Sequence, residues 1–195
     1  MNDHIVLTYQ FEKQSDQLGV LNYRVRNASP HDVYLTTPLT KFRDGRVQAL
    51  PSLVYVYWDE IHNVHLTKRI WAVPENIDVY MPEVPMLTKL PSGKIFEEQV
   101  QLPLPLKINF PYQFAADAGD NITRYPIQEM SQGLVFSIGY VSLERIDLVS
   151  QLKRVDGQTY FSLPYGATIE NQQIVTGKKI FIAVGVSDFQ RDKMR

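Results

Sequence analysis

The densest run of side chains able to bind metal or move protons is Asp59-Glu60-Ile61-His62-Asn63-Val64-His65. Two imidazoles and two carboxylates within seven residues offer the nitrogen and oxygen donors that zinc and similar divalent ions accept. Asp59, His62 and His65 are the candidate ligands, with Glu60 beside them. The spacing does not make a ready site. Positions 62 and 65 face opposite sides of a strand, and the pattern is not His-Glu-x-x-His, which sets its histidines four apart on a helix. Convergence demands a particular loop shape, so a polar, exposed loop carrying its histidines in passing is the simpler reading.

Other chemistry has less to build on. No Gly-x-Ser-x-Gly elbow occurs, and Ser92 and Ser162 have no histidine near them in sequence, although a triad need not be contiguous. Glu97 and Glu98 are adjacent carboxylates that a strand points to opposite faces, so they read as solvated charge and not as an acid–base pair. Pro91-Ser92-Gly93-Lys94 and Thr176-Gly177-Lys178-Lys179 contain Gly-Lys, but neither completes a phosphate loop or opens a helix. No cofactor is expected from these motifs.

The aromatic residues point to contact rather than catalysis. There are eleven tyrosines. Tyr55, Tyr57 and Trp58 sit on both faces of one expected strand, and amphipathic rings favour contact surfaces, which makes them the candidate partner-binding residues. Sheets favour aromatics in any case. Leu102-Pro103-Leu104-Pro105-Leu106 is extended and apolar, suited either to docking a protein or to protecting a sheet edge.

The elements that must position these residues read as strands. Leu21, Tyr23 and Val25 alternate with Asn22, Arg24 and Arg26 before Asn27-Ala28-Ser29-Pro30 turns the chain. Ile5, Leu7, Tyr9 and Phe11 alternate in the same way. Further strands are expected over 32–36, 40–43, 46–50, 53–58, 64–71, 94–102, 134–143, 148–154, 159–163, 167–175 and 178–186. Asp44-Gly45, Asp156-Gly157 and Thr176-Gly177 are the hairpin turns between neighbours. The 53–58 segment is apolar on both faces and suits a central strand. Seven of the twelve prolines fall between 74 and 111, which predicts edge strands and extended connections there. Short helical turns are expected at 115–120 and 126–130, and a frayed tail over 188–195.

The pattern Leu21-x-Tyr23-x-Val25-x-Asn27-x-Ser29, followed by the Leu90-Pro91-Ser92-Gly93 turn, resembles small bacterial immunoglobulin-like domains. It is also similar to the Bacillus-type intracellular proteinase inhibitor domain. The resemblance covers about residues 5–102. It implies an all-β fold of the immunoglobulin-like antiparallel β-sandwich type, enlarged here by additional C-terminal strands. A single β-rich domain over 1–195 is expected, with a sandwich over 1–110 and a second β-rich unit over 111–195 as the alternative. Inhibition or immunity function enters only through this resemblance.

Composition narrows the partners. The 195 residues carry a formal net charge of −1, so no one-signed field draws the chain to nucleic acid or an anionic membrane. There are no cysteines, which excludes disulfides, zinc-thiolate sites and cysteine nucleophiles. No apolar run reaches the roughly 18 residues needed to span a bilayer, and the N-terminus reads as a strand and not a secretory signal, so a cytoplasmic protein is expected. Taken together, these features predict a non-catalytic protein-interaction or structural domain, with a protein or a second copy of the chain as partner. A metal-dependent protein using Asp59, Glu60, His62 and His65, and a small-ligand or carbohydrate binder using the tyrosines, are the alternatives.

Overall fold

The computed structural model describes residues 4–43, 45–75, 78–79, 82–109, 111–112, 122–142, 151–155 and 157–193. In chain order, β1 (Ile5–Lys13), β2 (Leu18–Asn27), β3 (Val33–Leu35), β4 (Leu39–Arg43) and β5 (Arg46–Leu50) come first. They are followed by β6 (Tyr55–Trp58), β7 (Asn63–Lys68), β8 (Thr88–Leu90), β9 (Ile95–Pro103) and β10 (Leu106–Lys107). The rest are β11 (Ile122–Met130), β12 (Gly133–Ser142), β13 (Gln151–Val155), β14 (Gln158–Ser162), helix α1 (Tyr165–Asn171), β15 (Gln172–Thr176) and β16 (Gly185–Lys193). The all-β reading therefore holds, with several antiparallel pairings.

One sheet has the order β1-β2-β9, antiparallel throughout. The larger runs β6-β7-β12-β3-β8, with β15 also on β12. Inward side chains of both sheets form one core: Leu7, Phe11, Leu21 and Val25 from the first meet Leu66, Leu134, Phe136 and Ile138 from the second. β12 is buried along nearly its whole length, as a strand apolar on both faces requires, with Ser137 satisfied by donating to Thr67 Oγ1 at 2.8 Å. The third sheet is β10-β16-β11. The hairpins β4–β5 and β13–β14 stand apart, and Leu87 and Phe161 exchange backbone hydrogen bonds of 2.8 and 3.1 Å that tie β14 to the chain just before β8.

Several elements differ from the sequence reading, each for a physical reason. The larger sheet is not purely antiparallel: β7 and β12 run parallel, from Asn63↔Gly133 to Lys68↔Ile138. The long stretch between them includes β9 in the other sheet, and a crossover of that kind is what a parallel pair needs. β6 lies at the edge and not the centre of its sheet. Its apolar outer face is covered by a cluster containing Leu39, Tyr55 and Ile70. Its open backbone is capped by Asn109, whose amide donates to the Val56 carbonyl at 3.1 Å and whose side-chain oxygen accepts from the Val56 amide at 2.7 Å.

Residues 126–130 are strand, not helical turn. Pro126 is tolerated because β11 is an edge strand. Residues 188–193 belong to β16, whose backbone pairs with β11 from Met130↔Gly185 to Ile122↔Lys193 despite the charged sequence. The stretch 167–175 divides into helix and strand. Pro164 starts the helix at φ −53°, and Tyr165 and Ile169, four apart on one helical face, pack on the Leu39–Ile70 cluster. Gly177 does not turn a hairpin. Its amide donates to Phe136 at 2.9 Å and the chain continues along β12, bridging Leu134 at Ile180. A Cβ on Gly177 would stand 2.5 Å from the Tyr9 ring, so only glycine lets the strand pass so close. The 178–186 segment is extended, with only Ile180 in a ladder contact before β16 begins. Leu102 and Leu106 are 6% and 2% exposed, so the Leu-Pro-Leu-Pro-Leu segment is a core crossing and not a free docking strip. The expected helical turn at 115–120, and residues 143 and 148–150 of two expected strands, lie outside the described residues.

Candidate functional site

The Asp59–His65 loop closes the β6–β7 hairpin. Asp59 Oδ1 accepts from the Ile61 amide at 3.0 Å and the Asn63 amide at 2.8 Å. Its Oδ2 accepts from Asn63 Nδ2 at 2.7 Å and lies 3.0 Å from His65 Nε2. Burial pushes the Asp59 carboxyl up, but these bonds from Asn63, His65 and Ile61 outweigh it and hold the group well below the usual carboxylate range. The structure thus brings Asp59 and His65 together and leaves His62 apart, with a φ of 57° and its Nδ1 3.8 Å from Glu129. Among the described residues no group of three or more His, Asp and Glu side chains is placed to hold a metal ion.

The aromatic trio also divides. Tyr55 is 3% exposed, in the Leu39–Ile70 cluster. Tyr57 is half-buried, stacked on His65 with centroids 4.9 Å apart and edge-on to Trp71 at 5.5 Å. Trp58 packs on the main core. The Tyr55 hydroxyl donates to Glu83, which also accepts from the Trp71 amide at 3.4 Å. Burial pushes the Glu83 carboxyl up to about 7, against the pull of those two hydrogen bonds.

The most unusual polar group among the described residues is Lys68, whose side chain is fully buried. It follows Val64 and Leu66 on the inward face of β7. Its Nζ donates to Thr37 Oγ1 at 3.2 Å, to the Pro51 carbonyl at 2.6 Å and to Glu98 Oε2. All three protons of the ammonium are therefore engaged. Desolvation pulls the Lys68 amine down, and the Glu98 carboxylate opposes that pull. Tyr23, opposite Glu98 across the β2–β9 pair, donates its hydroxyl to the same oxygen. Burial, and then the Glu98 charge, push the Tyr23 phenol well above its usual value.

Thr37, Pro51 and Glu98, the three acceptors of Lys68, all line one open cleft of about 660 Å³. Its walls come from β9 through Phe96, from the β8 region through Leu87, and from β14 through Tyr160 and Phe161. Lys68 lies directly beneath this floor, fully covered. The expectation that Glu98 is solvated charge is overturned: its side chain is 19% exposed and ion-paired inside. Glu97, its neighbour, does face out and lies 3.3 Å from Arg24 Nε. Lys68, Tyr23 and Glu83 escaped the sequence reading. Register carried a signal for Lys68 and for its partner Glu98. Phe96, Glu98, Val100 and Leu102 share one face, as do Val64, Leu66 and Lys68, so each apolar row holds one charge, of opposite sign.

Comparison of the chain with known protein families, with curated proteins and with solved structures finds no match.

Proposed function

We propose that this chain is a non-catalytic interaction domain of the immunoglobulin-like sandwich type, and that it recognises an extended segment of a protein partner along β9. The single observation that carries the reading is the open edge of that strand. The Asn27 amide donates to the Lys94 carbonyl at 3.0 Å, while the Ala28 amide donates to the His4 carbonyl at 2.6 Å. Backbone groups alternate sides along a strand. Odd residues of β2 therefore bond β9 and even ones bond β1. With Tyr23 opposite Glu98, the even residues of β9 face β2. Glu97, Gln99 and Gln101 turn their amides and carbonyls outward, where no strand pairs with them among the described residues.

A strand of nine residues open along one side is a template for strand addition. The ionisable groups of the neighbouring cleft support binding over catalysis, because Lys68 and Glu98 are committed to each other. The test is capture of partners from native extract by the parent and by Gln99→Pro. Proline at 99 removes an outward amide and costs no ladder bond within the sheet. A stoichiometric partner held by the parent and lost by Gln99→Pro supports strand addition. Equal capture by both proteins refutes it. A second copy of the chain would appear as a concentration-dependent dimer in sedimentation that Gln99→Pro abolishes.

A further inference from the structure

The cleft under the open edge of β9 has few polar groups left to offer. The Thr88 hydroxyl donates to the Thr37 carbonyl at 2.6 Å. The Thr37 hydroxyl and the Pro51 carbonyl are occupied by Lys68. Lys89 at the margin is 2.7 Å from Asp32. Oε2 of Glu98 receives Tyr23 and Lys68 together. The charge of Glu98 is balanced by Lys68 below it, so the floor is electrically neutral. Beside the Thr159 and Tyr160 hydroxyls on the rim stands the second carboxylate oxygen of a partly exposed Glu98, set among Leu87, Phe96 and Phe161.

Such a site favours a flat apolar body with one hydrogen-bond donor. A cationic side chain would find no uncompensated negative charge on the floor. The position of the cleft indicates the source. Phe96 and Glu98 line it and belong to the inward face of β9. A strand added beside β9 would present alternate side chains on that same face, about 5 Å away. We propose that the cleft receives a tyrosine side chain from the added strand. Its ring packs on Leu87, Phe96 and Phe161, and its phenol donates to Glu98 as Tyr23 already does from within. This inference rests on strand addition at β9.

The probes are acetylated nine-residue peptides of alternating threonine and valine with one central position set to tyrosine, phenylalanine or lysine, together with free p-cresol and toluene. Binding to the full chain is read by calorimetry for the peptides and by NMR chemical shifts of Phe96, Tyr160 and Phe161 for the small probes. The tyrosine peptide should bind at least tenfold tighter than the phenylalanine and lysine peptides, and p-cresol at least tenfold tighter than toluene. Thr159→Trp, at an exposed position on the rim, should abolish the tyrosine preference without touching the ion pair. Equal binding of tyrosine and phenylalanine peptides overturns the role of Glu98. Preference for lysine overturns the neutral floor. Binding of p-cresol with no binding of any peptide makes the cleft a small-phenol site and overturns the partner as source. The strand-addition reading fails separately, when Gln99→Pro leaves partner capture intact.

Discussion

Lys68→Met removes the cation from a buried ion pair and leaves the Glu98 carboxylate with the Tyr23 hydroxyl alone. Lys68 is 0% exposed and the Glu98 side chain 19%, so water cannot replace the lost partner well. Breaking a buried pair from one side typically costs about 3–5 kcal/mol. For a domain stable by about 5–15 kcal/mol, that is about a fifth or more of its margin. Glu98→Leu should cost a similar amount by stranding Lys68. The double variant Lys68→Met/Glu98→Leu strands neither charge and leaves only neutral groups, the Tyr23 and Thr37 hydroxyls and the Pro51 carbonyl, short of a partner, so it should lose clearly less than the two single variants summed. Urea unfolding followed by tryptophan fluorescence suits the comparison, since Trp58 and Trp71 both sit in or beside the packed clusters. Unchanged m-values would show that all variants start from the same fold. A loss of less than about 1 kcal/mol in Lys68→Met, the level of an exposed pair, would refute the claim that this pair is desolvated. Additive losses in the double variant would refute the claim that the two charges hold each other.

Glu83 gives a pH dependence of known sign. Its folded carboxyl is pushed from an ordinary 4.5 up to about 7, so the folded state binds the proton more tightly than the unfolded one. The resulting stability is complete below pH 4.5 and is lost as pH rises to about 7, by an amount on the order of 3 kcal/mol. Glu83→Gln should flatten that slope in denaturation midpoints measured across the window. Asp59 has the opposite sign: its depressed carboxyl stabilises above the ordinary aspartate range and loses that contribution in acid. Asp59→Ala strips acceptors from the Ile61 and Asn63 amides and should cost about 1–3 kcal/mol in urea unfolding. Equilibrium dialysis against zinc checks the competing use of that loop; stoichiometric zinc that disappears in His62→Ala/His65→Ala would mean that Asp59 serves a metal and not only a turn. Gly177→Ala forces a methyl to within 2.5 Å of the Tyr9 ring and should lower stability by about 1–3 kcal/mol, read as a drop in Tm.

Local pattern revealed the strands whose two faces differ. Ile5, Leu7 and Phe11 in β1 and Leu21, Tyr23 and Val25 in β2 are buried as alternation demands. The turns at Gly45, Gly93 and Gly157, all at positive φ, followed from their residue types. What alternation cannot encode is the neighbour. A run apolar on both faces says that both are covered, not that strands lie on both sides. β6 is such a run, but a helix and a loop cover it instead. The charged sequence of 188–193 gave no apolar signal because backbone pairing with β11 does not require one. The site was hidden for a related reason. A glutamate and a lysine in apolar registers, 30 residues apart, look like two local irregularities until the fold sets β7 and β9 in facing sheets.

That juxtaposition bears on how the sheets find their register. A one-residue slip of β9 against β2 would turn Glu98 outward and bring Glu97 in, along with every other side chain of the strand. In β9 the outward row is Glu97, Gln99 and Gln101, so a slipped strand would bury polar groups in place of Phe96, Val100 and Leu102. The apolar loss alone disfavours the slip. The ion pair adds a second penalty from the other sheet, because Lys68 is fixed in β7 by the parallel ladder to β12 and cannot follow the moving carboxylate. It would keep Thr37 and Pro51 but lose its counter-charge. A buried cation without a partner costs more than any single apolar contact. The Lys68–Glu98 pair therefore contributes less to the depth of the folded state than to its separation from the nearest misregistered one. That role is compatible with a double apolar variant as stable as the parent. It predicts that this variant, and not the parent, will show heterogeneous amide signals along β9.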